Sequence, residues 1–412
     1  MKPFFNVMSV SQVHQLAARI SPLDSESVAL DQGLDRTLSR DFQAPQDLPG
    51  FTRSTMDGYA VRSRDTFGAS ETSPAYLTVA GQVIMGQAPL FKLSPGQCAR
   101  IGTGGMLPQG SDAVIMVEHT RNLDDSSIEA VKSVAPGTNL LGATDDAARG
   151  QVLLQAGHRL RTQDLGLLAA LGREPVMVQR RPRVGIISTG DEVVPIQAEP
   201  GPGQVRDVNT YTLAAQVAQA GGVAVPLGLV GDSAAEIRAA AAASLEDCDL
   251  TLLSGGSSVG VRDLTAEVFM SFPGAELLVH GVGVSPGKPF IWVTTGSRHL
   301  LGLPGQVASC MIAFHLFVEP IMERLLGRQA RAFTRFGLLQ AKLAREVPSV
   351  PGREEYLRVS LSRDEDSGWL AQPIFGKSGL LTTLISGQGL ISVPADSEGL
   401  DQGAAVEVLL FP

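Results

Sequence analysis

The sequence predicts a multidomain chain of class α/β plus β: a doubly wound α/β domain, a β-rich module and a small C-terminal β-barrel. Three observations carry that prediction. Between residues 183 and 327, continuous apolar runs alternate with helical spacing, the order expected of parallel strands joined by right-handed crossovers. Between 50 and 141, short apolar runs alternate with Gly, Pro and Asp clusters, the pattern of strands and tight turns. After Arg331 helical spacing does not return.

Taken in order, the spacing predicts a helix over 9–20, because Ser9 and Gln12 stand as a capping box and Val13, Leu16, Ala17 and Ile20 form one apolar face. Strands are expected over 76–80, 114–117 and 128–131, and a helix over 162–171 that Gly172 stops. The α/β segment reads as a buried strand over 184–188, a helix over 210–220 and a strand over 223–229. Ser233 and Glu236, again at capping-box spacing, open an Ala-rich helix to about residue 245. A strand over 249–254 runs into Gly255-Gly256, and one long helix is expected over 307–326. Strands over 337–346, 355–361, 389–393 and 404–410 make the terminal barrel. The expected domains are 1–49 with 142–182, 50–141, 183–328 and 329–412, with residues 1–25 packed on the α/β domain.

Composition narrows the function. The 412 residues suit two to four domains at roughly 150 residues each. The net charge is −9, which excludes the broad basic face a nucleic-acid binder needs. With 44% hydrophobic and 18% charged residues the chain is not disordered. Cys98, Cys248 and Cys310 are far apart and form no Cys-x-x-Cys pair, so neither a disulfide framework nor a zinc or iron–sulfur site is expected. The longest apolar stretch, residues 307–318, is too short for a bilayer and is broken by His315, and the start carries no signal-peptide pattern. A cytoplasmic protein with no membrane association is the expectation.

Two predicted strands end in polar, Gly-rich turns: Ser188-Thr189-Gly190-Asp191-Glu192, and Ser254-Gly255-Gly256-Ser257-Ser258. In an open parallel sheet such ends bind ligands, and closely approached backbone amides with hydroxyls suit phosphate. Tight packing alone would also explain these glycines. Asp191, Glu192, Asp232 and Asp263 all follow predicted strand ends. Four acids at one rim repel unless they hold a cation, and oxygen ligands with phosphates suit Mg²⁺, although Asp232 alone also fits a helix start. Lys288 sits in a Ser-Pro-Gly-Lys-Pro turn and Arg353 in a Pro-Gly-Arg turn. Met56-Asp57-Gly58 reads as a turn, and His119 and His315 as packing or surface residues.

Together these segments resemble the MoeA family of molybdopterin molybdenumtransferases, to which the E domain of gephyrin is similar. The resemblance rests on the run from Phe51 through Asp57 to Arg62, then Thr103-Gly104, and the segment from Gly110 to Met116. It continues through Ser188 to Glu192, Asp207-Val-Asn209, the segment from Ser254 to Gly260 with Asp263, Pro286 to Pro289, and Gly302 to Gly305. It covers nearly the whole chain. The resemblance implies a homodimer whose α/β domain is MogA-like, similar to the enzymes that adenylylate molybdopterin. It implies insertion of molybdate into adenylylated molybdopterin with release of AMP and Mg²⁺ as cofactor. Asp57, Asp191, Glu192, Asp232 and Asp263 are then the expected catalytic residues, with Mg²⁺ on Asp232 and Asp263. Thr103, Asp146, Ser188, Gly190, Gly255, Gly256, Ser257 and Ser258 are expected to bind the pterin nucleotide, with Asp57, Thr103 and Asp146 supplied by the second subunit. Lys288, Ser309, Arg353 and Ser378 are expected to hold molybdate. The adenylyltransferase and apo-molybdoenzymes are the implied protein partners.

The sequence departs from the family at three places. Ser285 stands where Lys is frequent, Val307 replaces a proline after Gly305-Gln306, and the segment from Leu140 to Ala143 lacks the usual arginines. Fewer fixed cations leave open a tungstate-preferring enzyme or a non-catalytic pterin-binding or scaffolding paralogue. A nucleotidyltransferase is a third reading, disfavoured by the attached β-modules.

Overall fold

The computed structural model describes residues 7–255, 259–364, 368–377 and 379–412, and of residues 259–263 the backbone alone. The chain forms two compact units. One comprises the residues up to Ser39, Gly157–Arg161 and Pro175–Pro412; the other comprises Arg40–Ala156 and Thr162–Glu174.

Helix α1 (Val10–Ala17) begins as its spacing requires. The Gln12 amide donates to Ser9 Oγ (3.2 Å) and the Ser9 amide to Gln12 Oε1 (2.8 Å), which satisfies two of the amides a helix start leaves open. Val10, Val13 and Ala17 pack into the main core of the first unit.

The second unit is built on β1 (Gly58–Val61), β2 (Ala75–Gln82), β3 (Gln97–Ile101), β4 (Ala113–Met116), β5 (Thr120–Asp124) and β6 (Ser127–Ala130). They form one sheet in the order β4-β1-β3-β2-β6-β5. Only β2 and β3 run parallel. Gly58 is required here, because a Cβ would lie 2.0 Å from the Ile115 carbonyl oxygen. Tyr59, Val61, Leu77, Cys98, Ile115 and Ile128 fill one core of this unit. Helix α2 (Thr162–Ala170) belongs to the same unit.

The first unit then continues as β7 (Arg183–Thr189), α3 (Asn209–Gln219), β8 (Val223–Val230), α4 (Ala234–Asp247), β9 (Leu250–Ser254) and α5 (Val259–Met270). It goes on as β10 (Ala275–His280), β11 (Ile291–Thr295) and β12 (Arg298–Leu303). The sheet order is β8-β7-β9-β12-β11-β10. The first four strands are parallel; β7, β8 and β9 are the three the alternation predicted, β12 is a fourth that the sequence reading did not expect, and β11 and β10 are antiparallel additions. The cause is local: β11 and β12 are joined only through Gly296-Ser297, too short for a parallel crossover.

The expected long helix is also interrupted. It comprises α6 (Val307–Ala313), a π-helical turn over Phe314–Val318, and α7 (Glu319–Leu325). Pro320 has no N–H to give Leu316, so the regular ladder fails there. The Leu316 carbonyl instead lies 2.8 Å from His14 Nε2 of α1.

The C-terminal module is a closed barrel of β13 (Gly337–Leu343), β14 (Glu354–Asp364), β15 (Gly368–Pro373), β16 (Gly389–Val393) and β17 (Ala405–Leu410). Hydrogen bonding runs β14-β15-β13-β17-β16 and back to β14, which leaves the ring no free edge. The expectation that no helix returns after Arg331 is corrected by one turn, α8 (Leu381–Ile385), between β15 and β16. Val359, Ala371, Ile391, Val393 and Val408 are fully buried in the core of the barrel.

Candidate active site

Strand order fixes where a ligand can sit. From β7 the chain crosses to β8 on one side, then returns to β9 on the other. The carboxyl ends of β7 and β9 therefore flank the point where the order reverses, the place where open α/β sheets bind ligands. A cavity of about 550 Å³ opens there. Its walls include Ser188, Thr189, Glu192, Asp207, Asn209, Asp232, Ser254, Gly255, Gly305 and Gln306.

Three glycines make the floor. Gly190 (φ +148°) and Gly255 (φ +136°) end β7 and β9, and Gly305 follows β12. A Cβ on Gly255 would stand 2.2 Å from the Thr189 carbonyl oxygen, one on Gly190 2.8 Å from Glu192 Oε2, and one on Gly305 3.3 Å from Gly255 Cα. At Gly255 and Gly305 the turns pack backbone on backbone, while Gly190 makes room for the Glu192 carboxylate, so a ligand can reach main chain between the polar side chains of the wall.

The polar groups are ordered from behind. Ser188 Oγ donates to Asp207 Oδ1 (3.0 Å) and lies 3.0 Å from Thr210 Oγ1 and 3.3 Å from Ser254 Oγ. Asn209 Nδ2 donates to the Gly305 carbonyl (2.8 Å), which ties the start of α3 to the third turn. Asn209 Oδ1 is buried without a hydrogen-bond partner. A buried acceptor is seldom left unpaired, so this one marks a position for a ligand donor or a water. Thr189 Oγ1 donates to Asp232 Oδ1 (2.6 Å). The Asp232 amide in turn donates to Asp191 Oδ1 (3.1 Å), and Glu236 Oε2 accepts the Gly231 amide (2.7 Å).

The expected site residues fall into groups. Ser188, Glu192, Asp232 and Gly255 line one cavity. Asp191 is exposed and anchors the Asp232 backbone from outside that wall. Gly190 shapes the floor. Gly256, Ser257, Ser258 and Ser378 lie outside the described residues, as does the side chain of Asp263, whose backbone is in α5. Sequence reasoning left Thr189, Asp207 and Asn209 off the list of site residues; the signal was their place, one within the first Gly-rich turn and two just before a predicted helix. Among the described residues no group of three His, Cys, Asp or Glu side chains could hold a metal. Oxygen donors alone face the cavity from Asp232 and Glu192. Mg²⁺ bound by one or two carboxylates plus substrate phosphates needs no larger protein cage, so this donor set fits it.

Lys288, Ser309 and Arg353 gather elsewhere in the same unit. Val284–Ser285 pairs in parallel with the start of β14, Val284 opposite Glu354 and Ser285 opposite Glu355. The Val282 amide donates to the Lys288 carbonyl (3.0 Å) and the Glu354 amide to the Gly283 carbonyl (2.9 Å), so the turns bearing Lys288 and Arg353 are neighbours. Gly287 abuts Ala313, one helical turn beyond Ser309 on α6. Lys288 is exposed and Ser309 buried.

In the second unit Asp57 is exposed at the head of β1. Its Oδ1 accepts both the Thr103 amide (2.7 Å) and Thr103 Oγ1 (2.9 Å). These bonds, the amide first, hold its carboxyl below the usual aspartate range. Asp146 is exposed, and its amide donates to the Leu48 carbonyl (3.2 Å).

Comparison with known proteins agrees with this layout. Residues 8–172 match the MoeA N-terminal region (domain I and II), 185–324 a probable molybdopterin binding domain, and 340–411 the MoeA C-terminal region (domain IV). The molybdopterin molybdenumtransferase of Bacillus subtilis (strain 168) is 32% identical over 393 residues, 94% of this chain and 90% of that protein. That of Nostoc sp. is 33% identical over 397 residues, 95% and 90% of the two chains. The crystal structure of the molybdopterin biosynthesis MoeA protein from Pyrococcus horikoshii OT3 superposes with a TM-score of 0.84 at 30% identity, covering 98% of this chain and all of that one.

Proposed function

The chain belongs to the MoeA family, transferases of molybdenum cofactor biosynthesis, and on that premise we propose that it inserts molybdate into adenylylated molybdopterin and releases AMP. The observation that carries the proposal is the cavity at the switch point, where Asp232 and Glu192 face three Gly-floored turns. A pyrophosphate needs amide donors for its oxygens and a counter-charge for its anhydride.

Asp232 and Asp263 would hold Mg²⁺, which supplies Lewis-acid polarisation of the pyrophosphate. The chain's own residues do the rest. Thr189 and Asp191 fix Asp232 from side chain and backbone. Ser188, restrained by Asp207 and Thr210, offers its hydroxyl at the cavity wall. Gly190, Gly255, Gly256, Ser257 and Ser258 receive phosphate or pterin. Lys288, Ser309, Arg353 and Ser378 clamp the oxyanion, a point charge beside a forked guanidinium.

The same reading makes the enzyme a homodimer, with the partner subunit's Asp57, Thr103 and Asp146 completing each site. It operates in the cytoplasm, between an adenylyltransferase that supplies the pterin nucleotide and apo-molybdoenzymes that receive the cofactor. All three thiols are free and buried, as suits a reducing compartment. No helix among the described residues is long and apolar enough to cross a membrane.

Mixing Asp57→Asn and Asp263→Asn proteins tests the shared site. A hybrid dimer keeps one intact site of two and should recover about half of wild-type AMP release, so a randomly exchanged equimolar mixture should recover about a quarter. No recovery after verified subunit exchange would place each site within one chain.

A further inference from the structure

Arg353 carries an unfinished contact. Its Nη2 meets Glu355 Oε1 at 2.5 Å. Its Nε is buried and has no hydrogen-bond partner. Nε and Nη2 form one edge of the guanidinium, the edge that carboxylates and other oxyanions bind with two parallel bonds. Glu355 fills one corner of that edge and leaves the other open. The Glu355 side chain is 12% exposed and that of Arg353 43%, so the acid is the more enclosed partner.

In the parallel register the residue opposite Glu355 is Ser285, which brings no charge. Glu355, though not Arg353, also lines a cavity of about 160 Å³ with Ser285, Pro286, Arg358 and Gly376, among others. Arg358 is already engaged, donating to Thr383 Oγ1 (2.7 Å) and to the Gly376 carbonyl (3.0 Å).

We propose that Glu355 is a resident anion that competes with the incoming oxyanion for Arg353, and so sets a low affinity for molybdate in this chain. The proposal rests on the reading that Arg353 belongs to the oxyanion clamp. A tetrahedral dianion presents two oxygens to Nε and Nη2, so it completes the edge only by displacing Glu355 or by standing close to its charge. A lysine at position 285, opposite Glu355 in this register, would give the acid a counter-ion of its own and release Arg353. Glu355 thus acts through Arg353 and is not a catalytic residue.

The test is calorimetric titration of the full-length protein with molybdate alone, at low and high salt. Glu355→Gln keeps an acceptor for Nη2 and removes the charge. A unit charge roughly 5 Å from a dianion in a water-like dielectric is worth about ten-fold in affinity. The variant should therefore bind molybdate about ten-fold more tightly at low salt, and the gain should shrink as salt screens it. In turnover, its KM for molybdate should fall with kcat unchanged. Ser285→Lys should also tighten binding, and the double variant should gain little over the better single one, because both release the same guanidinium. Glu354→Gln, which alters the acid bonded to the Tyr356 hydroxyl, should leave affinity unchanged. Unchanged or weaker binding by Glu355→Gln overturns the proposal and makes Glu355 a support for Arg353. Absence of binding by both the wild type and Glu355→Gln at millimolar molybdate overturns it too. Wild-type affinity in Arg353→Ala would overturn the clamp itself, and the proposal with it.

Discussion

Single residues in this protein are held by contacts that their neighbours in sequence do not announce. Asp249 is the clearest case. Burial pushes its carboxyl up, but the Arg180 guanidinium, the Arg183 amide and Arg298 outweigh burial, and it titrates below the ordinary aspartate value. A carboxyl depressed by folding stabilises the native state above its unfolded pKa, about 4, and loses that contribution as pH falls through its lower folded value. Asp249→Asn should therefore cost about 2 kcal/mol at pH 7, less than a fully buried pair because both arginines are about one-third exposed. Urea titrations should show the gap to wild type closing below about pH 4; a gap that persists into acid would remove the charge argument. At this scale the sequence reveals residue types but not partners. Ser188, Glu192 and Asp232 were legible as polar residues at strand ends, and Gly255 as the glycine of the turn that follows one. Asn209 was not marked as part of the site, because what singles it out is an unpaired buried oxygen beside Gly305, nearly a hundred residues on.

Elements were legible where a local signal starts or stops them. The capping box at Ser9 and Gln12 is present with both of its bonds. At α4 only half of the expected box forms. Ser233 Oγ accepts the Glu236 amide (3.3 Å), but the Glu236 carboxylate reaches past the cap to Ser233 Oγ (3.2 Å) and the Gly231 amide (2.7 Å). That arrangement joins the helix start to the loop bearing Asp232. Ser233→Ala should cost about 1 kcal/mol, lowering Tm by roughly 2 °C in a chain of this size. Because the same loop lines the cavity, substrate affinity should fall as well. A lower Tm with unchanged affinity would show that Asp232 does not depend on this cap. Strands β10, β11 and β12 escaped the sequence reading altogether, because residues 275–303 read as turns around Lys288 and an entry to the long helix. Once β11 and β12 are recognised as strands, the two-residue link between them fixes their antiparallel pairing. The π-helical turn escaped it because helical spacing continues on both sides of Pro320, and the group that relieves it, His14, comes from the opposite end of the chain.

At the scale of the molecule, one sheet brings distant segments to a common rim. Strands β7, β9 and β12 begin 115 residues apart from first to last (298 − 183), yet their glycine turns touch. Chain order and alternation were enough to expect the parallel sheet and the terminal barrel. They were not enough to expect the barrel's closure, which depends on β14 pairing with both β15 and β16. The rim is also where the central claim stands or falls. The most direct measurement is AMP release from adenylylated molybdopterin by wild type and Asp232→Asn, titrating Mg²⁺ and, in parallel, molybdate and tungstate. The account predicts oxyanion-stimulated, Mg²⁺-dependent release by the wild type. It predicts a loss of about 100-fold or more in the variant, with pterin-nucleotide binding and Tm retained. Full Mg²⁺-dependent activity in Asp232→Asn, or tight nucleotide binding by the wild type with no release under either oxyanion, would contradict it.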